Sequence, residues 1–498
     1  MRGRTVGEEV SIRRKLAFFR SLIQSPFHVF QGGWQDVQVV FASAFLRLIG
    51  AGVAGVLVAA CQPKIVEVTK IVEKEKVVKE TVIVEKEAKP AGPTEKIVRV
   101  LLDSWALGEV PFDRTAREFS DSHPGIKVVV QSTFEGWKTK VTAQINDGTL
   151  EWSAAGILST DIDPAPWIKG GLVQPMEDYI SASKEPGADT LLSDMIPTIK
   201  NACTFEGKIY SIPYSFENVT FNWRTDYCGA VGMTEPPADW NEWLRVALEL
   251  KKWGKDQQIY PTAFCGDMNS DIDAMLRGAT DKPYTDEGIL DWTGPAMMEV
   301  LAFMKRLIVQ EELTPPHGYD GVIDAYFGGK LATFHAQSSR GVWGQNAFGT
   351  DKVVTSPVIH KAKGVGVGAV YWCNNLAILN KAPYPQEACD YLIYTMGPQN
   401  VDFQKTVIRT GKTPVYNSIY ENVIKSDPQF RIYQWMIDMR ADVETAPLIP
   451  QNTYIMIEYS AYSKWWPQFT DPGSTMTPQE FGDAVLKDVR AEIAKQKT

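Results

Sequence analysis

Carboxylates, aromatic rings and one guanidinium supply most of the chemistry available to this chain. Asp161 and Asp163 stand two apart behind Ser159, Asp267 follows Cys265-Gly266, and Glu217-Asn218 follow closely on Tyr214. Arg340 follows Ser338-Ser339, while Trp105, Tyr371, Trp372 and Tyr454 offer ring faces. Such a set binds polar solutes: rings cover C–H patches, and carboxylates, amides and Arg exchange hydrogen bonds with hydroxyls. It is poorly equipped for covalent chemistry. No H-E-x-x-H occurs, and His28, His123, His317, His335 and His360 are too dispersed for a metal motif. No G-x-S-x-G nucleophile elbow is present. Gly411-Lys412-Thr413 mimics the end of a P-loop, but Thr406 stands where the first Gly is required. Gly364, Gly366 and Gly368 lead into a strand pattern, whereas a dinucleotide fingerprint follows one. Asp161 and Asp163 would suit a glycosidase only if carboxyls flanked a substrate, a separation that sequence does not fix. These residues describe a non-enzymatic binder with no cofactor and no metal. Plain structural roles compete at each position. Asp161 or Asp163 equally suits helix capping, Arg340 equally suits a surface ion pair, and most of the fifteen Trp are packing residues.

Cys61 carries chemistry of another kind. It closes the apolar run Gly50–Cys61, which follows Arg47 and ends in Ala59-Ala60. This is the pattern of a secretory h-region with a small-residue cleavage site. Val58-Ala59-Ala60-Cys61 resembles the bacterial lipobox, whose Cys receives a diacylglyceryl group and becomes the mature N-terminus. Two acyl chains give stable anchoring. The competing reading, a spanning helix, meets the difficulty that a dozen residues fall short of a ~30 Å hydrocarbon core. Arg13-Arg14 stands too far from the apolar run for a twin-arginine signal. The expected location is the outer face of the cytoplasmic membrane, with the membrane a partner through the lipid.

These residues must be positioned by a body of roughly 400 residues, more than one core usually serves, so two lobes are expected. Hydrophobic content of 44% and charged content of 22% are globular values. A formal net charge of −9 argues against a nucleic-acid partner. Cys203, Cys228, Cys265, Cys373 and Cys389 are scattered and lack C-x-x-C spacing, which leaves room for one disulfide but not for a disulfide framework or metal site. Residues 1–60 read as leader and 61–95 as a low-complexity tether. Its Ile-Val and Val-Val pairs recur every six residues, a period that rotates them by ~240° around a helix and builds no stripe. A weak coiled coil is the competing reading of the tether. Beyond it, strand Ile97–Leu102, helix Phe112–Ser122, strand Ile126–Val130, a helix near Lys138–Asn146 and a strand near Ala155–Leu158 alternate. This βαβαβ order predicts an α/β fold with mostly parallel sheets flanked by helices. Ligands in such sheets sit beyond the carboxyl ends of the strands, which puts Trp105, Ser159, Asp161 and Asp163 at a rim.

Several segments then resemble, in order, the extracellular solute-binding proteins of ABC importers, the family that includes maltose-binding protein. They are Pro124-Gly125-Ile126-Lys127-Val128, Gly171–Met176, Phe205–Tyr214, Val219–Trp223, Pro236–Trp243 and Phe327–Thr333. The resemblance implies a two-lobed, type II periplasmic-binding-protein-like fold with a hinge of crossover strands near Pro213–Val219, Gly364–Val370 and Thr410–Val415. It also implies lobe 1 at 96–213 and 367–412, and lobe 2 at 214–366 and 413–498. Ligand would lie between them, touched from the first crossover by Tyr214, Glu217 and Asn218. The implied partners are a small solute, most simply a sugar, and a permease with its ATPase; the binder itself would be monomeric. Two departures bear on the ligand. Ser338-Ser339-Arg340 and Ser159 stand where sugar binders of the family often place an aromatic. A polyamine or other polar solute, and a secreted carbohydrate-active hydrolase, are the alternatives.

Overall fold

Alternation of apolar side chains builds the first strand. In β1 (Lys96–Leu102) Val98, Val100 and Leu102 enter one apolar cluster, while Leu101 enters another on the opposite face. The computed structural model describes residues 95–156, 165–315, 319–368, 371–452 and 454–496. Cys61, Ser159, Asp161 and Asp163 lie outside the described residues, as do the leader and nearly all of the tether. β2 (Ile126–Ser132) and β3 (Ala154–Gly156) flank β1 in parallel register. Helices Phe112–Ser122 and Trp137–Asp147 supply the crossovers that parallel neighbours require. The βαβαβ expectation holds for this part.

A short hairpin follows, β4 (Thr204–Phe205) with β5 (Lys208–Ile209). Its turn residues Glu206 and Gly207 both have positive φ, 48° and 78°, as a tight hairpin turn demands. The chain then enters β6 (Ile212–Arg224), thirteen residues long and buried throughout. Its first half pairs antiparallel with β10 (Tyr371–Ile378), from Ile212↔Leu376 to Asn218↔Tyr371. Its second half, Val219–Arg224, pairs antiparallel with β8 (Leu331–Gln337) on one side and β9 (Val353–Pro357) on the other. β7 (Tyr260–Phe264) completes the order β2-β1-β3-β10-β6-β8-β7, parallel to β8. The α/β architecture is as expected, but the sheet is mixed rather than mostly parallel. The reason is the crossover itself, since β6 and β10 each run back against their neighbours.

Two large apolar clusters divide along β6. Ile212, Tyr214 and Phe216 belong to the first; Phe221 and Trp223 belong to the second. The first also takes buried residues from Val98 to Ile209 and from Cys373 to Ala446. The second takes residues from Cys228 to Ile359 and from Ile455 to Ile493. The segment 413–446, expected in the second lobe, therefore packs with the first. Val415, Tyr416, Ile419, Tyr420, Val423, Phe430, Met436 and Val443 all bury there. The expected lobe boundary came from the resemblance, and no local residue pattern fixes which core a segment joins.

Candidate functional site

The strand exchange at Glu217-Asn218 is where side chains from both clusters converge. Glu217 lies opposite Trp372 on β10 and is 7% exposed. Its Oε2 accepts a hydrogen bond from the Ser339 hydroxyl at 2.8 Å, and its Oε1 accepts one from Asn374 Nδ2 at 3.4 Å. Lys412 Nζ lies 3.5 Å from Glu217 Oε1 and also pairs with Glu109. Arg340 Nη1 donates to Ser339 Oγ at 3.2 Å, and its guanidinium carbon lies 3.9 Å from the centre of the Trp343 ring. A continuous polar chain runs from Arg340 through Ser339, Glu217 and Lys412 to Glu109.

Each member arrives on a different element. Trp105 and Glu109 come from the helix Ser104–Glu109, which begins just beyond the carboxyl end of β1. Lys412 follows the helix Val401–Arg409 and is carried past β6, where Phe216 and Thr413 exchange backbone hydrogen bonds of 2.9 and 3.0 Å. Gly411 makes that passage feasible. Its φ is +86°, and a Cβ there would come 2.7 Å from Ser339 Cα. Ser339 and Arg340 open the helix Ser339–Phe348, just past the end of β8.

The electrostatics are balanced in the middle and strained at the edges. Burial resists ionisation of Glu217, but the Lys412 and Arg340 charges, with hydrogen bonds from Ser339 and Asn374, outweigh it and hold the carboxyl below its ordinary value. Burial likewise opposes the Lys412 charge, and Glu217 and Glu109 more than offset that, raising its pKa. The Lys412 ammonium also lies 5.0 Å from the Trp105 ring centre. On the first-cluster rim, burial raises Asp103, even though its Oδ1 accepts from the Thr133 hydroxyl at 2.8 Å.

The second-cluster rim is built after β7 and β8. Asp267 Oδ1 accepts the Ser270 N–H at 2.8 Å, and Gln337 Nε2 donates to Ser270 Oγ at 3.0 Å. The Cys265 thiol donates to Gln337 Oε1 at 2.8 Å. Asp271, fully buried beneath, accepts the Cys265 and Gly266 N–H groups at 2.9 and 2.7 Å. Burial raises Asp267, and the Arg340 charge is among the groups that resist that rise. Arg340 thus acts on Glu217 and Asp267 together. Among the described residues no group of three His, Cys, Asp or Glu is placed to hold a metal ion.

Of the residues singled out from sequence, Trp105, Glu217, Asp267 and Arg340 are brought together. Tyr214 lies on the same crossover but is 2% exposed, its ring edge-on to Phe112 and Phe403. Burial first, then Glu109, Glu217 and Asp103, push its phenol well above the usual range. Asn218 is fully buried, and its Nδ2 donates to Met439 Sδ at 3.1 Å. Both side chains are turned into the body because alternation along β6 meets packed layers on each face. Trp372 is half-buried against Val219, Ala274 and Val358. Tyr371 opens β10 opposite Asn218. Tyr454 packs on the second cluster, its N–H held by Asn452 Oδ1 at 2.7 Å, and no described contact joins it to Glu217 or Asp267. Glu109, Lys412, Ser339, Asn374 and Gln337 went unrecognised as site residues. For Lys412 a signal existed: a charged residue set between Val407-Ile408 and Val415 in an expected crossover needs a buried partner.

Comparison with known proteins establishes the family and the fold. Residues 114–432, more than half of the chain, match the family described as bacterial extracellular solute-binding protein. No curated protein matches the chain. Among solved structures, it is similar to an ABC substrate-binding protein from Listeria monocytogenes in complex with cycloalternan, with 16% identity, 80% of this chain and 99% of that one covered, and a TM-score of 0.65. A maltotriose-binding protein of Thermus thermophilus bound with maltotriose is 17% identical over 80% and 100% of the two chains, with a TM-score of 0.61. An ABC transporter solute-binding protein from Agrobacterium vitis with bound D-mannitol is 19% identical over 80% and 99%, also at 0.61. With the family matched along the chain and the fold shared with these structures, the protein belongs to the bacterial extracellular solute-binding proteins.

Proposed function

We propose that the protein captures a neutral sugar or polyol at the strand exchange and delivers it to the permease of an ABC importer, while a lipid on Cys61 tethers it to the membrane. The observation that carries this reading is the convergence of Trp105, Glu217, Arg340, Lys412 and Asp267 around β6. Glu217 and Asp267 accept hydrogen bonds from solute hydroxyls, Arg340 donates to their oxygens, and the Trp105 ring covers a C–H face. Lys412 is already held between two carboxylates, so it presents no uncompensated charge to attract an anion. Trp372 and Tyr454 serve in this reading as outer contacts, with Tyr214 and Asn218 as support from beneath; Ser159, Asp161, Asp163 and the Tyr371 ring keep the ligand-contact role expected of them from sequence. Solute touching both rims favours the closed arrangement about β6, β10 and the 410–415 crossing. Binding proteins of this family with bound maltotriose and D-mannitol support the choice of solute.

Titrating the purified protein with maltooligosaccharides, hexitols and spermidine, by calorimetry and thermal shift, tests the reading. We expect saturable heat and a rise in Tm with a sugar or polyol, and unchanged solute on chromatography. Product formation would refute it, and a response to spermidine alone would assign the carboxylates to a cationic solute. Labelling cells with an alkyne fatty acid tests the anchor: wild type incorporates label, and Cys61→Ser loses it and is released to the medium.

A further inference from the structure

Besides β6, two further passages carry the chain between the clusters. One runs from Ile359 in the second cluster to Cys373 in the first, and the other from Ala446 in the first to Ile455 in the second. Arg277 meets both. It ends the helix Ala274–Arg277, between Leu276 and Ala279 of the second cluster, and is fully buried. Its backbone carbonyl accepts the Val367 N–H at 2.8 Å, and the Gly278 carbonyl beside it accepts the Lys361 N–H at 2.8 Å. Its guanidinium is spread over three acceptors. Nε donates to Asp273 Oδ1 at 2.9 Å, Nη2 to the Tyr284 hydroxyl at 2.6 Å, and Nη1 to the Pro447 carbonyl at 2.7 Å. The Tyr284 hydroxyl donates in turn to Asp273 Oδ2 at 2.9 Å, which fixes the plane of the fork. Val367 and Pro447 are thus held by one residue, the first through its backbone and the second through its side chain.

Gly366 and Gly368 allow the first passage to lie this close. Gly366 has a φ of +86°, and a Cβ there would come 2.2 Å from the Arg277 carbonyl oxygen. At Gly368 a Cβ would come 1.9 Å from the Asp442 carbonyl oxygen and 3.1 Å from Ala446 Cβ, in the last turn of the helix Trp435–Thr445 and just beyond it. Within two residues this passage leaves the second cluster and lands on the first, beside the point where the other passage departs. An ion pair with Asp273 would by itself satisfy the buried charge. The third arm is different, because the Pro447 carbonyl belongs to no helix or strand.

We propose that Arg277 is a positioning residue for solute capture, fastening both passages to the second cluster so that they move with it as one body when the clusters close. This role rests on the capture and closure proposed above. A passage freed from Arg277 gains conformations that solute must remove on binding, so loosening it weakens affinity without touching the solute.

Full-length wild type, Arg277→Lys and Tyr284→Phe are compared by amide hydrogen exchange and by calorimetry with maltotriose and D-mannitol. Arg277→Lys keeps a cation beside Asp273 but loses the fork. Tyr284→Phe keeps the ion pair and the Pro447 contact while removing the hydroxyl that orients them, which gives a second variant should the lysine variant not fold. Without solute, peptides covering 359–368 and 446–452 are expected to exchange faster together, by about tenfold or more, the worth of one hydrogen bond to a charged group. Peptides of β1 and β2 should keep wild-type rates. Unchanged exchange in either passage, or a rise spread evenly over the second cluster, gives Arg277 a packing role alone and overturns the proposal. With solute, the variants are expected to bind about 2- to 30-fold more weakly than wild type. Wild-type affinity in a variant whose passages have loosened also overturns it. Absence of heat from the wild type with both solutes counts instead against the proposed solute class, and the exchange comparison still decides whether Arg277 fastens the passages.

Discussion

Lys412 is the residue on which the charge balance turns. Its side chain is 3% exposed and lies within reach of Glu217 and Glu109, so removing it leaves Glu217 buried beside no cation but Arg340. Lys412→Met is expected to cost about 3–5 kcal/mol at neutral pH, the range for breaking a buried pair from one side. The sign of its pH dependence follows from Glu217. In the wild type the carboxyl is depressed, so its stabilisation is present above the ordinary value near 4.5 and is lost as pH falls through the folded value. In the variant that acid loss shrinks, which urea unfolding at pH 4 and pH 7 would reveal. Two buried groups outside the site titrate in ways sequence did not announce. Burial raises Glu458 to about 8, despite hydrogen bonds from Trp292 Nε1 at 2.7 Å and Leu290 N at 2.8 Å. A carboxyl raised in the fold stabilises at low pH, and its contribution drains away between about 4.5 and 8. Glu458→Gln keeps an acceptor for both donors, so its stability should stay flat over that window while the wild type loses up to about 5 kcal/mol. His335 is the converse. Burial lowers it to about 3, with its ring 6.0 Å from that of Trp243. The fold holds it neutral, so stability falls as pH drops below the ordinary 6.5 toward 3, and His335→Phe should blunt that acid transition in a melting series.

At the scale of elements, what was legible depended on whether local spacing and burial told the same story. Helix Phe112–Ser122 occupies the span its apolar spacing predicts, because it rests one face on the sheet. The crossover near Pro213–Val219 came from the family resemblance, and it lies within β6. The helices of 417–445 were assigned by resemblance to the second lobe but bury in the first cluster, because no local pattern records which core receives them. Gly411 shows the same limit at one position. Sequence offered it as part of a failed phosphate loop, whereas its backbone is left-handed and presses on the Ser339 helix. Gly411→Ala is expected to destabilise by about 1–3 kcal/mol and to weaken solute binding by displacing Ser339 from Glu217. Paired melting and calorimetry check this. A variant that melts lower yet binds with wild-type affinity would separate the glycine from the site.

For the molecule as a whole, β6 is a single strand of the mixed sheet that pairs with β10 in its first half and with β8 and β9 in its second, so the proposed closure would move one cluster against the other by bending near Glu217-Asn218. Saturating solute is expected to lower the radius of gyration in small-angle scattering, and Glu217→Gln to need more solute for the same contraction. An unchanged radius at saturation would separate binding from closure. Composition, alternation and punctuation alone determined that this is an acidic α/β chain with globular hydrophobic content, because these are properties of residues and their near neighbours, whereas the crossover strands came only with the family resemblance. The meeting of Lys412 with Glu109 and Glu217, the burial of Tyr214 and Asn218, and the return of 415–446 to the first core were decided only by tertiary structure. Those facts depend on which surfaces exclude water together, and residues hundreds of positions apart carry no local record of it.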